Sequence, residues 1–416
     1  MLNIKFIREN EKMVRAAILN KNEKVDLDNV LNLDQEKRKL QFEYDSNKAV
    51  QNKLSKQIPT LKKEKKDVSE IMNNMKELSL KNKNILSELN IVSKKFNYAM
   101  LTIPNIPSTD VPIGRDESDN EFKYEWGKKP VFDFVPKDHL ELAKINSLLD
   151  QQRATKMSSS GFMGYYDKGA MLERALINYM LDFHIQKHGY TEISFPILVN
   201  RKAMIGTGQL PKLENDMYRI EQDDLFLVPT AEVSTTNFYA EEILASKDIP
   251  VKFVSYSPCF RREAGSYGKE TKGLQRLHQF NKVEMVRFVK KEDSYIALDE
   301  MKNDAEEILQ SLGLHYRVMN LATGDLSFAS AKTYDLEVWA PGTNRYLEVS
   351  SISNFEDFQA RRALIRYRNE NDKLEFVHTL NGSGLATPRL VISLLESYQN
   401  ESGSIDFPEN LKPYLK

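Results

Sequence analysis

From Phe260 to Met285 the chain reads Phe-Arg-Arg-Glu-Ala-Gly-Ser-Tyr-Gly-Lys-Glu-Thr-Lys-Gly-Leu-Gln-Arg-Leu-His-Gln-Phe-Asn-Lys-Val-Glu-Met. Two guanidiniums, two carboxylates and a ring could be gathered here from Arg261, Glu263, Arg276, Phe280 and Glu284, with Arg262 beside them. Guanidiniums take phosphate or carboxylate oxygens in pairs, a ring can stack on a base, and a carboxylate can hold an ammonium. Such a set suits a nucleoside triphosphate plus an amino acid; the alternative is a salt-bridge ladder on a solvated sheet. Residues 251–262 are rich in β-formers and 277–289 alternate apolar with polar, which predicts two strands. The basic loop between them carries Gly265, Gly268, Gly273, Lys269 and Lys272. Residues two apart on a strand share a face, so Arg276, Phe280 and Glu284 are expected together, as are Arg261 and Glu263.

A second candidate segment, Asn381-Gly-Ser-Gly-Leu-Ala-Thr-Pro-Arg389, runs into an amphipathic stretch over 390–398. Its glycines allow close backbone approach to a ligand, and Pro388 suits a helix start, from whose first turn Arg389 would project. Arg261-Arg262-Glu263 together with a Gly-rich segment ending in Arg389 resembles the second and third signature motifs of class II aminoacyl-tRNA synthetases. Pro229-Thr-Ala-Glu-Val233, Glu263-Ala-Gly-Ser266, Glu348-Val-Ser-Ser351 and Asn381-Gly-Ser-Gly384 narrow the resemblance to the seryl-tRNA synthetase family. It extends over nearly the whole chain. Each motif is short, but their combination and order are specific.

The resemblance implies an α+β fold with a six-stranded antiparallel sheet, a first motif at residues 189–196 in a homodimer interface, and ATP-dependent activation of L-serine followed by transfer to tRNA. It implies that Arg261 bridges the serine carboxylate and the α-phosphate, that Arg389 holds the γ-phosphate, and that Arg276 assists at the pyrophosphate end. Adenine would lie on Phe280 with Glu263 near its amino group; Arg262, Val349 and Ser350 complete the implied ATP set. Glu348 and Ser351 resemble a Mg²⁺ pair, although residues three apart on a regular strand face opposite ways, so a bulge or strand end near 350–351 is required. Glu284 would take the serine ammonium, with Thr230, Ala231, Glu232, Asn381 and Ser383 around the amino acid. Thr230 reads equally as a helix N-cap. Two departures stand out: Thr387-Pro388 before Arg389, where members often have Val-Gly, and the unusual run Ser160-Gly-Phe-Met-Gly-Tyr-Tyr166.

A chain of 416 residues allows two or three domains. The net charge of −1 hides an asymmetry: residues 1–100 hold 21 Lys and Arg against 14 Asp and Glu, while the remainder is acidic. A basic arm on an acidic body fits a polyanionic partner. Residues 27–100 carry apolar positions at alternating spacings of three and four, among them Val30, Leu33, Leu40, Tyr44, Leu54 and Ile58, then Ile85, Leu89, Val92 and Phe96. That pattern predicts two long helices folded back on each other, with a turn within 65–69, Ser69 as N-cap, and Pro59 kinking or ending the first helix. The expected organisation is a helical tRNA-binding arm over 1–101, a Pro-rich linker over 102–118, and a catalytic domain over 119–416. Within the last, helices are expected over 170–188 and 231–245, and a strand over 192–199. By resemblance, the tRNA carries a long variable arm. The single Cys259 excludes an internal disulfide and a multi-thiolate zinc site. No run of about 18 apolar residues or signal segment occurs, so a cytoplasmic protein without membrane contact is expected. Two other functions compete: a synthetase-like ligase charging a carrier protein, whose kind lacks the long arm, and a non-catalytic coiled-coil protein, which would have lost Arg261, Glu284 or Arg389.

Overall fold

The computed structural model describes residues 1–263 and 273–416. Gly265, Gly268, Lys269 and Lys272, with residues 264–266 of one motif, lie outside the described residues. The chain divides into two compact units, one of residues 2–19 and 23–103, the other of residues 1, 20–22 and 104–416.

In the first unit, helix α1 (Leu27–Lys63) and helix α2 (Ser69–Leu101) form a hairpin. Val30, Leu33 and Leu40 are buried with Ile85, Leu89, Val92 and Phe96, while Tyr44, Leu54 and Ile58 are only partly covered, because two helices alone enclose a single seam. Lys81 pairs with Glu43 at 2.8 Å across it. The first helix does not end at Pro59 but continues to Lys63, since the missing amide lies close to the helix end, where few bonds remain to be lost. Nor does Ser69 cap the second helix: Asp67 Oδ1 accepts the Ser69 amide at 2.9 Å and its hydroxyl at 2.6 Å. Asn82 interrupts the seam, and its buried amide has no hydrogen-bond partner among the described residues.

The second unit is built on an eight-stranded sheet: β1 (Glu121–Trp126), β2 (Thr191–Glu192), β3 (Val251–Phe260), β4 (Gln279–Val289), β5 (Tyr316–Asn320), β6 (Lys332–Ala340), β7 (Arg345–Asn354) and β8 (His378–Ala386). The spatial order is β1-β5-β6-β7-β8-β4-β3-β2. The six central strands are antiparallel; β1 extends them antiparallel at one edge and the two-residue β2 runs parallel to β3 at the other. Helices α3 (Lys168–Gln186), α4 (Ser294–Ser311) and α5 (Thr387–Ser397) supply Leu176, Met180, Met301, Ile308, Leu390 and Leu394 to the main core. From the sheet that core receives Val283 and Met285 of β4, Leu336 and Val338 of β6, Val349 and Ile352 of β7, and Leu380 of β8. Alternation therefore turns Lys282 and Glu284, Asp335 and Glu337, and Asn381 and Ser383 to the other face, together with Phe280, whose ring also packs against the margin of the main core.

Two expectations are corrected here. The helix expected over 231–245 is only Glu232–Thr236 plus a 3₁₀ turn, because Glu241 adopts φ +68° and Ile243–Ala245 pairs in parallel with Arg366–Arg368. The strand expected over 192–199 is interrupted around Pro196, which cannot donate to a ladder, leaving Thr191–Glu192 and Leu198–Asn200.

Candidate active site

The β3–β4 ladder runs from Val251↔Phe288 to Phe260↔Gln279 and stops there. Strand parity thus applies to Phe280 and Glu284 but not to Arg261, Glu263 or Arg276, which follow or precede the strands. Glu263 adopts φ +52°, and its carboxylate takes Arg276 at 2.5 Å. Arg261 instead lies over the Phe280 ring, 5.1 Å from its centroid, and donates to the Pro229 carbonyl at 3.3 Å. Its backbone is fixed on both sides by His278: the Arg261 amide donates to the His278 carbonyl at 2.9 Å, and His278 Nδ1 meets the Arg261 carbonyl at 3.0 Å. Arg262 is exposed.

Glu284 is fully buried. Asn381 Nδ2 donates to its Oε1 at 3.0 Å, Lys282 forms an ion pair with its Oε2, and Ser383 stands opposite it across the β4–β8 ladder. Glu232 is buried nearby and accepts from Gln359 Nε2 at 2.6 Å; Gln359 is held in turn by Thr379 Oγ1, which donates to its Oε1 at 2.8 Å. Burial, followed by the negative charge of Glu284, pushes the Glu232 carboxyl up to about 7. Ala231 is the helix N-cap, and the Thr230 hydroxyl accepts the Glu232 amide at 3.2 Å, so Thr230 acts one residue before the cap.

Between β6 and β7 the register passes from Leu336↔Ser350 to Glu337↔Glu348, leaving Val349 as an extra residue. This bulge brings Glu348 and Ser351 to one face. Val349 itself points into the main core, and Ser350 Oγ donates to the Ser383 carbonyl at 2.6 Å, so of these two only the backbone is available to a ligand on the site face. Arg389, in the first turn of α5, meets Glu348 Oε2 at 3.1 Å and the Glu348 carbonyl at 2.9 Å. Burial alone would raise the Glu348 carboxyl, but the Arg389 guanidinium holds it below its ordinary value. Three cation–carboxylate pairs, Arg276–Glu263, Lys282–Glu284 and Arg389–Glu348, therefore occupy this region.

The seryl-tRNA synthetase N-terminal domain model matches residues 1–107, and the class II core domain of the G, H, P, S and T synthetases matches residues 215–398. A curated serine–tRNA ligase from Caldicellulosiruptor saccharolyticus is 53% identical over 415 residues, covering 100% of this chain and 99% of that protein. The chain belongs to the seryl-tRNA synthetase family. Among solved structures, seryl-tRNA synthetase from Pyrococcus horikoshii complexed with ATP superposes with TM-score 0.93 at 36% identity, covering 100% of this chain and 98% of that one. The cytoplasmic enzyme from Naegleria fowleri in complex with AMP gives 0.87 at 29%, covering 100% and 97%.

Three site-face residues escaped the sequence reading. Lys282 gives no signal there beyond its spacing of two from Phe280 and Glu284. Gln359 is 127 residues from the carboxylate it holds, and nothing local points to it. Asp335 stands opposite Ser351, and burial together with the Glu348 charge pushes its carboxyl well above the ordinary range; its Oδ1 has no hydrogen-bond partner among the described residues. Among the described residues no group of three or more His, Cys, Asp or Glu is placed to hold a metal. The bulge-aligned Glu348 carboxylate and Ser351 hydroxyl nonetheless offer the hard oxygen donors that would suit a Mg²⁺, with the Asp335 carboxyl opposite Ser351 on the neighbouring strand. Also among the described residues, no helix is long and apolar enough to cross a membrane.

Proposed function

We propose that this chain activates L-serine with ATP, expelling pyrophosphate to give seryl-adenylate, and transfers serine to the 3′ end of a tRNA. The observation that carries the reading is one sheet face bearing a ring, a buried anionic pocket and a bulge-aligned carboxylate–hydroxyl pair, bounded by Arg261 and Arg389. Activation brings a carboxylate oxygen to the α-phosphorus, so two anions must be held together and aligned in line; positioning and fixed positive charge supply most of such catalysis. Arg261 spans the serine carboxylate and the α-phosphate, Arg389 takes the γ-phosphate, and Arg276 assists at the leaving pyrophosphate. Phe280 stacks adenine, with Arg262, Glu263 and the backbone of Val349 and Ser350 completing the ATP set. Glu284 binds the serine ammonium, while Thr230, Ala231, Glu232, Asn381 and Ser383 surround the side chain. A serine carboxylate is already ionised near neutrality, so no general base is needed. Glu348 and Ser351 would hold a Mg²⁺, which would supply hard positive charge for the phosphate oxygens.

The nucleotide-bound Pyrococcus and Naegleria relatives support the ATP site. We assign tRNA binding to residues 1–101, linkage to 102–118 and catalysis to 119–416, in a cytoplasmic homodimer using residues 189–196. The exposed Lys53, Lys56, Lys62, Lys63, Lys76 and Lys83 of the arm suit the backbone of an extended tRNA feature such as a long variable arm. The arm also disfavours a carrier-protein ligase. Deleting residues 27–100 tests this: serine-dependent pyrophosphate exchange should persist while tRNA charging is lost. Unchanged charging would reassign the arm to scaffolding.

A further inference from the structure

Lys282 sits on β4 with Phe280 two residues before it and Glu284 two residues after, all three on the site face. At about 3.3 Å per residue its Cα lies roughly 6–7 Å from each. Its side chain is 8% exposed, and its Nζ is paired with Glu284 Oε2 while Asn381 holds the other oxygen. The residues flanking it across the sheet are small, Ser257 on β3 and Ala386 on β8. Its charge also reaches Glu232 and Glu348, so it stands among the carboxylates on both sides of the face.

A buried carboxylate requires a cation, and Lys282 supplies one to Glu284. A substrate ammonium arriving at the same carboxylate meets like charge at close range in a poorly solvated site. The four-carbon lysine stem is flexible and its ammonium is a compact point charge, so Lys282 is able to yield. From its position on β4, the displaced Nζ falls between the ring that stacks the base and the carboxylate that holds the ammonium. That is where the amino-acid carboxylate and the α-phosphate must meet.

We propose that Lys282 is a transferable cation: the substrate ammonium displaces it from Glu284, and its Nζ then binds the two anions that react. The step makes and breaks only ion pairs and transfers no proton. This inference rests on the assignment of Glu284 to the ammonium. It makes the amino group of the substrate a condition for placing positive charge at the reacting centre, since an acid without an amine would leave Lys282 on Glu284.

The test uses the full chain carrying Lys282→Met or Lys282→Arg, with serine affinity measured directly by calorimetry and turnover by pyrophosphate exchange. Lys282→Met should lower kcat by about 100-fold, as expected for loss of one positioned charge at a developing anion. It should leave the serine Kd within about threefold, because the lost attraction to the carboxylate is offset by removal of the competitor for Glu284. Lys282→Arg should recover at least about tenfold of the lost kcat. Lys282→Gln gives the same comparison if the Met variant does not fold. A serine Kd weakened tenfold or more at unchanged kcat, no change in either quantity, or no rescue by Arg would overturn the proposal. Glu284→Gln run in parallel separates the two assignments: if it weakens serine selectively while Lys282→Met changes nothing, Lys282 alone is wrongly assigned; if it weakens ATP equally, the ammonium assignment fails and the proposal fails with it.

Discussion

Glu284→Gln removes one charge from the centre of the site while changing its shape little. Asn381 Nδ2 donates to Glu284 Oε1 at 3.0 Å, and an amide oxygen can accept the same bond. What disappears is the negative charge facing Lys282 and, on our assignment, the serine ammonium. A hydrogen bond to a charged partner contributes about 1.5–3 kcal/mol, more than a neutral one in a buried setting. Converted at about 1.4 kcal/mol per decade, the serine KM should rise by roughly 10- to 150-fold. The ATP KM should change by less than about threefold, because the groups assigned to ATP are held by other partners: Phe280 by Arg261, Arg389 by Glu348, and Arg276 by Glu263. Pyrophosphate exchange with serine and ATP varied in turn reads both constants. Equal rises for the two substrates, or a rise confined to ATP, would refute the assignment of Glu284 to the amino acid.

Other outcomes follow from the same geometry. The Glu232 carboxyl stands at about 7 rather than its ordinary 4.5, so the folded chain retains a proton the unfolded chain releases; that contribution to stability, about 3 kcal/mol, is present below 4.5 and lost as pH rises through 7. Serine kcat/KM should accordingly increase with pH up to about 7, as ionisation of Glu232 adds negative charge to the pocket in which Glu284 binds the ammonium, and Glu232→Gln should remove the inflection; an unchanged profile would disprove this. Ser351→Ala should raise the Mg²⁺ concentration giving half-maximal exchange by about tenfold, with the serine KM unaffected, and a metal response identical to the parent would exclude Ser351 as a ligand. In the arm, Asn82→Leu replaces a buried amide that has no partner among the described residues and should stabilise the hairpin by about 1–3 kcal/mol, seen as slower hydrogen exchange of α2 amides; faster exchange would show that the amide is satisfied in solution.

Local patterning carried the sequence reading where structure is local. The seam over 27–100 needs only helical spacing, and Val251–Phe260 and Gln279–Val289 follow from β-formers and alternation. It failed where a distant contact decides. Parity could not relate Arg276 to Phe280, because the ladder ends at Gln279. The bulge needed to align Glu348 with Ser351 was demanded by their spacing, but its location at Val349 depends on the register of β6, set by residues 332–340. Lys282 looks like any solvated strand lysine until the surrounding strands bury it, and Gln359 reaches Glu232 only through the tertiary fold. The helix over 231–245 was cut short by pairing with a strand more than a hundred residues away.

The central claim is that this one sheet face activates serine. ATP–pyrophosphate exchange by the full-length chain, measured separately with each proteinogenic amino acid, tests it most directly. Exchange should depend on serine and exceed that with alanine by a factor on the order of 10⁴, because a site built to hydrogen-bond a hydroxyl leaves its polar groups unpaired when the hydroxyl is missing. Exchange supported equally by alanine, or by another amino acid in preference to serine, would contradict the account.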